Sequence, residues 1–107
     1  MVVEQYHIVL ADLNPTRGSE IKKTRPCLVI SPNEMNLHLQ TVIVAPMTSA
    51  IKNYPTRVSV KFKDKIGSIA IDQIRTIDKR RIIKSYHQIS SSKIQQVKKI
   101  LRETLVD

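Results

Sequence analysis

The chain is 107 residues long, enough for one domain (1–107) and too short for two. With 41% hydrophobic residues it can bury a modest core, and with 4% aromatics and no Trp that core must be built from Ile, Val and Leu. A single cysteine excludes an internal disulfide, while a formal charge of +9 points to a polyanionic partner without choosing among nucleic acid, an anionic membrane surface and an acidic protein. The N-terminus lacks a basic stretch followed by an apolar one, so no signal peptide is expected. The longest apolar run is far shorter than the about 20 residues that a membrane helix needs. A soluble, cytoplasmic protein without membrane contact is therefore expected.

In chain order, Tyr6 to Leu13 reads as a first strand that Asn14-Pro15 ends. The stretch from Asn14 to Pro26 has no apolar periodicity, and long connections of this kind in small domains are usually functional or disordered. Gly18 marks a turn in it, and it also holds Arg17, Ser19, Glu20, Lys22, Lys23 and Arg25. Cys27 to Ser31 reads as a buried second strand, with Cys27 a small core residue. Pro32-Asn33-Glu34 opens a short helix with Met35 and Leu37 or Leu39 facing inward. Thr41 to Met47 is a β-branched strand, and Pro46 near its end marks an edge or a bulge.

Thr48 to Pro55 is a polar loop. Thr56 to Lys63 alternates, with Val58, Val60 and Phe62 on one face. Asp64 to Gly67 is expected as a hairpin turn, Ser68 to Ile74 as the returning strand, Thr76 to Asp78 as another turn and Ile82 to Tyr86 as a short last strand. A helix runs from Ser90 onward on an apolar stripe of Ile94, Val97, Ile100, Leu101 and Leu105, with Ser90 and Ser92 competing as N-cap. The outcome is a mainly β fold of five or six short strands closing on themselves, with one long terminal helix packed against them.

His7, His38 and His87 have no ligand-type spacing, and neither a zinc or calcium pattern nor a glycine-rich phosphate loop is present, so no metal or cofactor is expected. No serine lies in a G-x-S-x-G setting. Arg25 is different, because a residue before proline is held extended and its guanidinium is thereby aimed. Such a group can clamp a phosphate with its fork, or it can merely solubilise the loop. Thr48 and Ser49 bring hydroxyls to the end of a strand, for a phosphoryl oxygen or for capping a turn. Glu20 among cations stays ionised, as a salt-bridge partner or a general base. The run Lys79-Arg80-Arg81 reads as a solvated face.

Five blocks, N-P-T-R-G-S-E (14–20), R-P-C-L-V-I-S-P (25–32), V-A-P-M-T-S (44–49), Y-P (54–55) and D-Q-I-R-T-I-D (72–78), resemble the MazF/PemK/Kid toxins of bacterial toxin–antitoxin pairs. The resemblance runs in order from about residue 8 to the end. It implies an SH3-like barrel of five to seven strands, with a short helix after strand 2 and a long C-terminal helix, acting as a homodimer. It implies a metal-independent endoribonuclease that cuts single-stranded RNA at short sequences by attack of the 2′-hydroxyl on its own phosphate. The products are a 2′,3′-cyclic phosphate and a 5′-hydroxyl, and the partner is an acidic, partly disordered antitoxin. By motif position Arg25 and Thr48 match the catalytic pair, and Glu20 is the candidate for base or for orienting Arg25. RNA contacts are expected from Arg17, Ser19, Lys22, Lys23, Ser49, Lys52, Tyr54, Arg57, Asp72, Gln73 and Arg75. Tyr54 is the aromatic placed to stack on a base, and some members give the acid matching Asp72 a catalytic role.

Two departures stand out. Ser19 replaces a histidine credited with acid–base work in some members, and Tyr6-His7 replaces the usual Gly-Asp or Gly-Glu before the first strand. Two other readings stay open. A gyrase poison of the CcdB type shares this barrel, but its mechanism needs a Trp near the C-terminus that this chain lacks. A non-catalytic nucleic-acid-binding barrel would bind with a steep salt dependence and cleave nothing.

Overall fold

Short β-branched runs separated by polar breaks fold here as an antiparallel sheet that curls on itself. The computed structural model describes residues 2–13, 24–49 and 54–106. Its elements are β1 (His7–Asp12), β2 (Thr24–Val29), α1 (Asn33–His38), β3 (Thr41–Thr48), β4 (Arg57–Phe62), β5 (Lys65–Ala70), β6 (Arg75–Asp78), β7 (Ile82–Gln88) and α2 (Ser91–Leu101). The strand order is β4-β5-β3-β2-β1-β7, with β6 also on β3. Alternation gives β1, β2 and β3 two buried faces. Val9, Cys27, Val29, Val42 and Val44 pack with Ile77 and Ile82 on one side. Ile8, Leu28, Ala45 and Met47 pack with Val58, Val60, Ile69 and Val97 on the other, inside the curl. Phe62 at the end of β4 meets Tyr86 of β7 edge to face, 5.0 Å between centroids, and this contact closes the curl.

Several elements differ from the sequence reading. The hairpin turn is Lys63-Asp64, with Phe62 opposite Lys65, so Gly67 lies within β5 and not in the turn. Lys63 and Asp64 take φ of 51° and 62°, the left-handed pair of a type I′ turn, which neither residue's composition advertises. The strand expected to reach Ile74 ends at Ala70, because Ile71–Gln73 forms a 3-10 turn, and the turn expected at Thr76–Asp78 is strand β6. Cys27 is fully buried, in keeping with its core reading.

In α1 the inward residue is Asn36, while Leu37 is 73% exposed and Leu39 is also exposed. One and a half turns cannot present an apolar stripe, so the helix is anchored by a polar knot instead. The Ser31 hydroxyl donates to Asn36 Oδ1, Asn36 Nδ2 donates to the Ser31 carbonyl at 2.9 Å, and Ile43 N–H donates to Ser31 Oγ at 3.0 Å. This fastens the β2–α1 connection to β3.

Ser90, not Ser92, caps α2, accepting from Lys93 N–H at 3.4 Å. Val97 is buried, and Ile94, Ile100 and Leu101 pack beside it on the interior core. The stripe ends there, because Arg102–Val106 forms a π-helical turn and Leu105 is exposed. The wider turn resets the periodicity on which Leu105 was placed. At the head of the chain Tyr6 holds φ at 64°, a conformation that suits glycine. Its N–H donates to Val29 O at 2.8 Å and its carbonyl accepts from Ile89 N–H at 3.1 Å, so the residue ties β2 to the entry of α2.

The type I′ turn supplies a test. Asp64→Gly places the preferred residue at a left-handed position, and the melting temperature is expected to rise by about 2–5 °C in a thermal melt followed by circular dichroism.

Candidate active site

Register brings Arg25 and Thr48 together. Cys27 of β2 lies opposite Pro46 of β3 as the last pair of that ladder, and Arg25 and Thr48, two residues beyond it on each strand, line one cleft. Side chains alternate along a strand, so both leave the sheet on the side that Cys27 and Pro46 share. Arg75 joins them on that side, since it lies opposite Val44 in the β6–β3 pair. The thiol of Cys27 reports the arrangement. Burial pushes it up to about 12, and the charges of Arg75 and Arg25 pull against that rise. Both guanidinium groups thus act on one point of the sheet, on the side where the Thr48 side chain also leaves it. That is a chemical environment for a phosphate.

Thr48 is held by a close approach from its other neighbour. It pairs with Ser68 of β5, and a Cβ on Gly67 would stand 2.7 Å from the Thr48 carbonyl oxygen. Only a residue without a side chain lets β5 lie this near. On the interior side of the same strand ends, Leu10, Pro26, Met47, Phe62 and Tyr86 line a cleft of about 520 Å³ with Lys63 and Lys65 at its rim; Arg25, Thr48 and Ser49 form its lip. Periodicity carries no sign of this cleft, because its lining comes from six separate strands. Lys63 Nζ donates to the Tyr86 hydroxyl at 3.2 Å, and the ammonium groups of Lys63 and Lys84 lie 4.8 and 5.2 Å from the Tyr86 ring centroid.

A second constellation forms around Asp72. Arg57 Nε donates to Asp72 Oδ1 at 2.8 Å and Arg57 Nη2 to Oδ2 at 3.3 Å, while the Thr56 hydroxyl donates to Oδ1 at 2.9 Å. The hydrogen bond from Arg57 is the main cause that lowers the Asp72 carboxyl below its ordinary value, with Thr56 adding to it. The Arg57 guanidinium carbon lies 5.3 Å from the Tyr54 ring centroid. Gln73, in the 3-10 turn, is exposed. The basic run 79–81 is partly structural: Arg80 N–H and its guanidinium bond Asp78, which holds that carboxyl down to about 2, and Arg81 donates to the Asp12 carbonyl at 3.3 Å. Of the remaining candidates, Arg17, Ser19, Glu20, Lys22, Lys23 and Lys52, with the turn expected at Gly18, lie outside the described residues. Among the described residues no three His, Cys, Asp or Glu side chains gather to hold a metal, and no helix is long and apolar enough to cross a membrane.

The chain belongs to the PemK-like, MazF-like toxin family of type II toxin–antitoxin systems, whose sequence model matches residues 4–105. It is 36% identical over 102 residues to the endoribonuclease MazF of Staphylococcus epidermidis, covering 90% of this chain and 85% of that one. The crystal structure of MazF from Deinococcus radiodurans superposes with a TM-score of 0.79 at 27% identity, covering 98% of this chain and 97% of that chain. A crystal structure of the MazE–MazF complex from the same organism gives a TM-score of 0.82 at 26% identity, with the same coverage of 98% and 97%.

Gly67→Ala forces the β5 and β3 backbones apart at Thr48, and urea denaturation is expected to show a loss of about 1–3 kcal/mol. Cys27 yields a pH test. The unfolded thiol ionises near 9.0 and the folded one near 12. Between these values the unfolded state binds fewer protons, so this residue's contribution to stability falls as pH rises from about 9 towards 12. Cys27→Ala is expected to flatten that fall in urea titrations at pH 8 and pH 10.

Proposed function

We propose that this chain is an endoribonuclease toxin that cleaves single-stranded RNA without a metal ion, in the cytoplasm, as a homodimer held in check by an acidic antitoxin. The observation that carries the reading is the placing of Arg25, Thr48 and Arg75 on one side of one sheet end. The endoribonuclease relative and the MazE-bound structure support the activity and the kind of partner.

The nucleophile belongs to the substrate. The 2′-oxygen attacks the adjacent phosphorus, its proton passes to a base, the bond from phosphorus to the 5′-oxygen breaks, and that oxygen takes up a proton. The step leaves a 2′,3′-cyclic phosphate and a 5′-hydroxyl. Guanidinium groups keep their charge at neutral pH, so Arg25 serves by neutralising charge on the pentacoordinate phosphorus rather than by removing a proton. Thr48 donates its hydroxyl proton to a non-bridging oxygen. Arg75 adds positive charge from β6. Glu20 is the base or the group that orients Arg25. Arg17, Lys22, Lys23 and Lys52 hold the flanking strand by charge, while Ser19, Ser49 and Gln73 supply hydrogen bonds to phosphates or base edges. Tyr54, Arg57 and Asp72 serve a neighbouring nucleotide.

Purified protein incubated with mixed single-stranded RNA in excess EDTA is expected to release fragments with cyclic-phosphate ends. Arg25→Ala is expected to cut at least about a hundredfold more slowly. Intact RNA with the wild type sinks the proposal; equal cleavage by both proteins moves the site elsewhere.

A further inference from the structure

The Asp72 carboxylate sits in a family motif, yet its surroundings do not suit proton transfer. Both of its oxygens accept hydrogen bonds from Arg57, and Thr56 adds a third. A carboxylate stabilised in this way stays ionised and is a weak base. Arg57 is equally committed: its side chain is 9% exposed although it is charged. What remains available is Tyr54, 53% exposed, with the guanidinium against its ring.

Register places this group on the catalytic side of the sheet. Thr48 lies opposite Ser68, and Ser68 lies opposite Ser59, so the three side chains share a face. Arg57 precedes Ser59 by two residues on that face and lies opposite Ala70. By strand spacing and rise, Arg57 is therefore about 10 Å across the sheet and about 7 Å along it from Thr48. That separation suits a nucleotide flanking the scissile phosphate.

We propose that Tyr54, Arg57 and Asp72 form a preassembled shelf on which one unstacked base of single-stranded RNA stacks, with Asp72 as the positioning residue that holds Arg57 against the Tyr54 ring. The inference rests on the RNA-cleaving reading for its substrate class. Every base offers a π-face, so the shelf contributes affinity without choosing a sequence. It assigns Asp72 no contact with the reacting atoms. Asp72 acts by ordering the two side chains above it, which lowers the cost of ordering them on binding.

The test uses the full chain and two probes. A fully 2′-O-methylated, mixed-sequence single strand measures binding alone, since its nucleophile is blocked; an unmodified strand of the same sequence measures cleavage in EDTA. The chain has no Trp, so Tyr54→Trp installs a sole reporter. Its emission is expected to quench on titration with the blocked strand, at an affinity no weaker than wild type. Tyr54→Ala is expected to weaken binding about tenfold and to raise KM, with kcat at saturation held. Asp72→Asn is expected to raise KM in the Tyr54 protein and to add nothing in the Tyr54→Ala background, with its kcat–pH profile matching wild type and partial rescue by Asp72→Glu. Each variant is matched to wild type by thermal melt, and Thr56→Val, which leaves the Arg57 contacts to Asp72 in place, serves as a milder probe of the same carboxylate should Asp72→Asn fail to fold. A lower kcat or a shifted pH profile for Asp72→Asn overturns the positioning role, and unchanged affinity for Tyr54→Ala overturns the shelf. Quenching of Tyr54→Trp with no cleavage by the wild type supports the shelf while sinking the ribonuclease reading.

Discussion

Strand β3 changes partners along one edge, and the rest of the molecule is arranged by that handover. Residues Thr41 to Val44 bond β6, while Met47 and Thr48 bond β5. Between them stands Pro46, which has no N–H to offer either strand. A strand interior is a poor place for proline, but at a handover the missing donor leaves nothing unsatisfied. The opposite edge stays on β2 from Val44 to Pro46, so the two sheets remain one continuous surface. This is why side chains from β2, β3 and β6 leave one continuous surface on the same side. It is also why Gly67 matters to Thr48, whose backbone carbonyl a side chain at 67 would meet.

Much of this was legible in the sequence. The alternation of Val58 and Val60 set the interior face of β4, and the stripe through Val97 set the packed face of α2. Arg25 before Pro26 and the threonine after a β-branched run could be singled out as candidates because local chemistry marks both positions. The failures share a cause. Lys63-Asp64 and Tyr6 adopt left-handed backbone without glycine, so composition could not reveal them. Asn36 is buried by a polar knot whose partners, Ser31 and Ile43, belong to other elements. The coupling of Asp72 to Arg57 joins residues separated by 15 positions, and tertiary pairing of that kind leaves no periodic trace. Tyr6 is instructive because the resemblance places glycine there. The chain accepts the left-handed strain and gains a ring that packs against the interior core beside α2.

The charge distribution divides into committed and open cations. Arg57, Arg80 and Arg81 are tied to carboxylates or a carbonyl. Lys63 and Lys84 gather on Tyr86 instead, where a ring quadrupole partly offsets their mutual repulsion. A raw net charge would have counted all of these alike. Arg25 and Arg75 stand apart from these in that both act on the buried Cys27 thiol, which is a far narrower statement than basicity alone.

The Phe62–Tyr86 contact has a consequence for how the protein behaves in company. It joins β4 to β7 by side chains, so the ends of the strand path are shut by an aromatic latch rather than by a hydrogen-bond ladder. Unladdered strands invite further strands from other molecules, and lysines along them discourage it. Lys61 and Lys63 on one side and Lys84 on the other are exposed at this seam. Like charge thus guards an opening that geometry leaves, and the guard weakens as salt screens it. Colloidal stability, not only affinity for polyanions, is therefore written into the same basic residues.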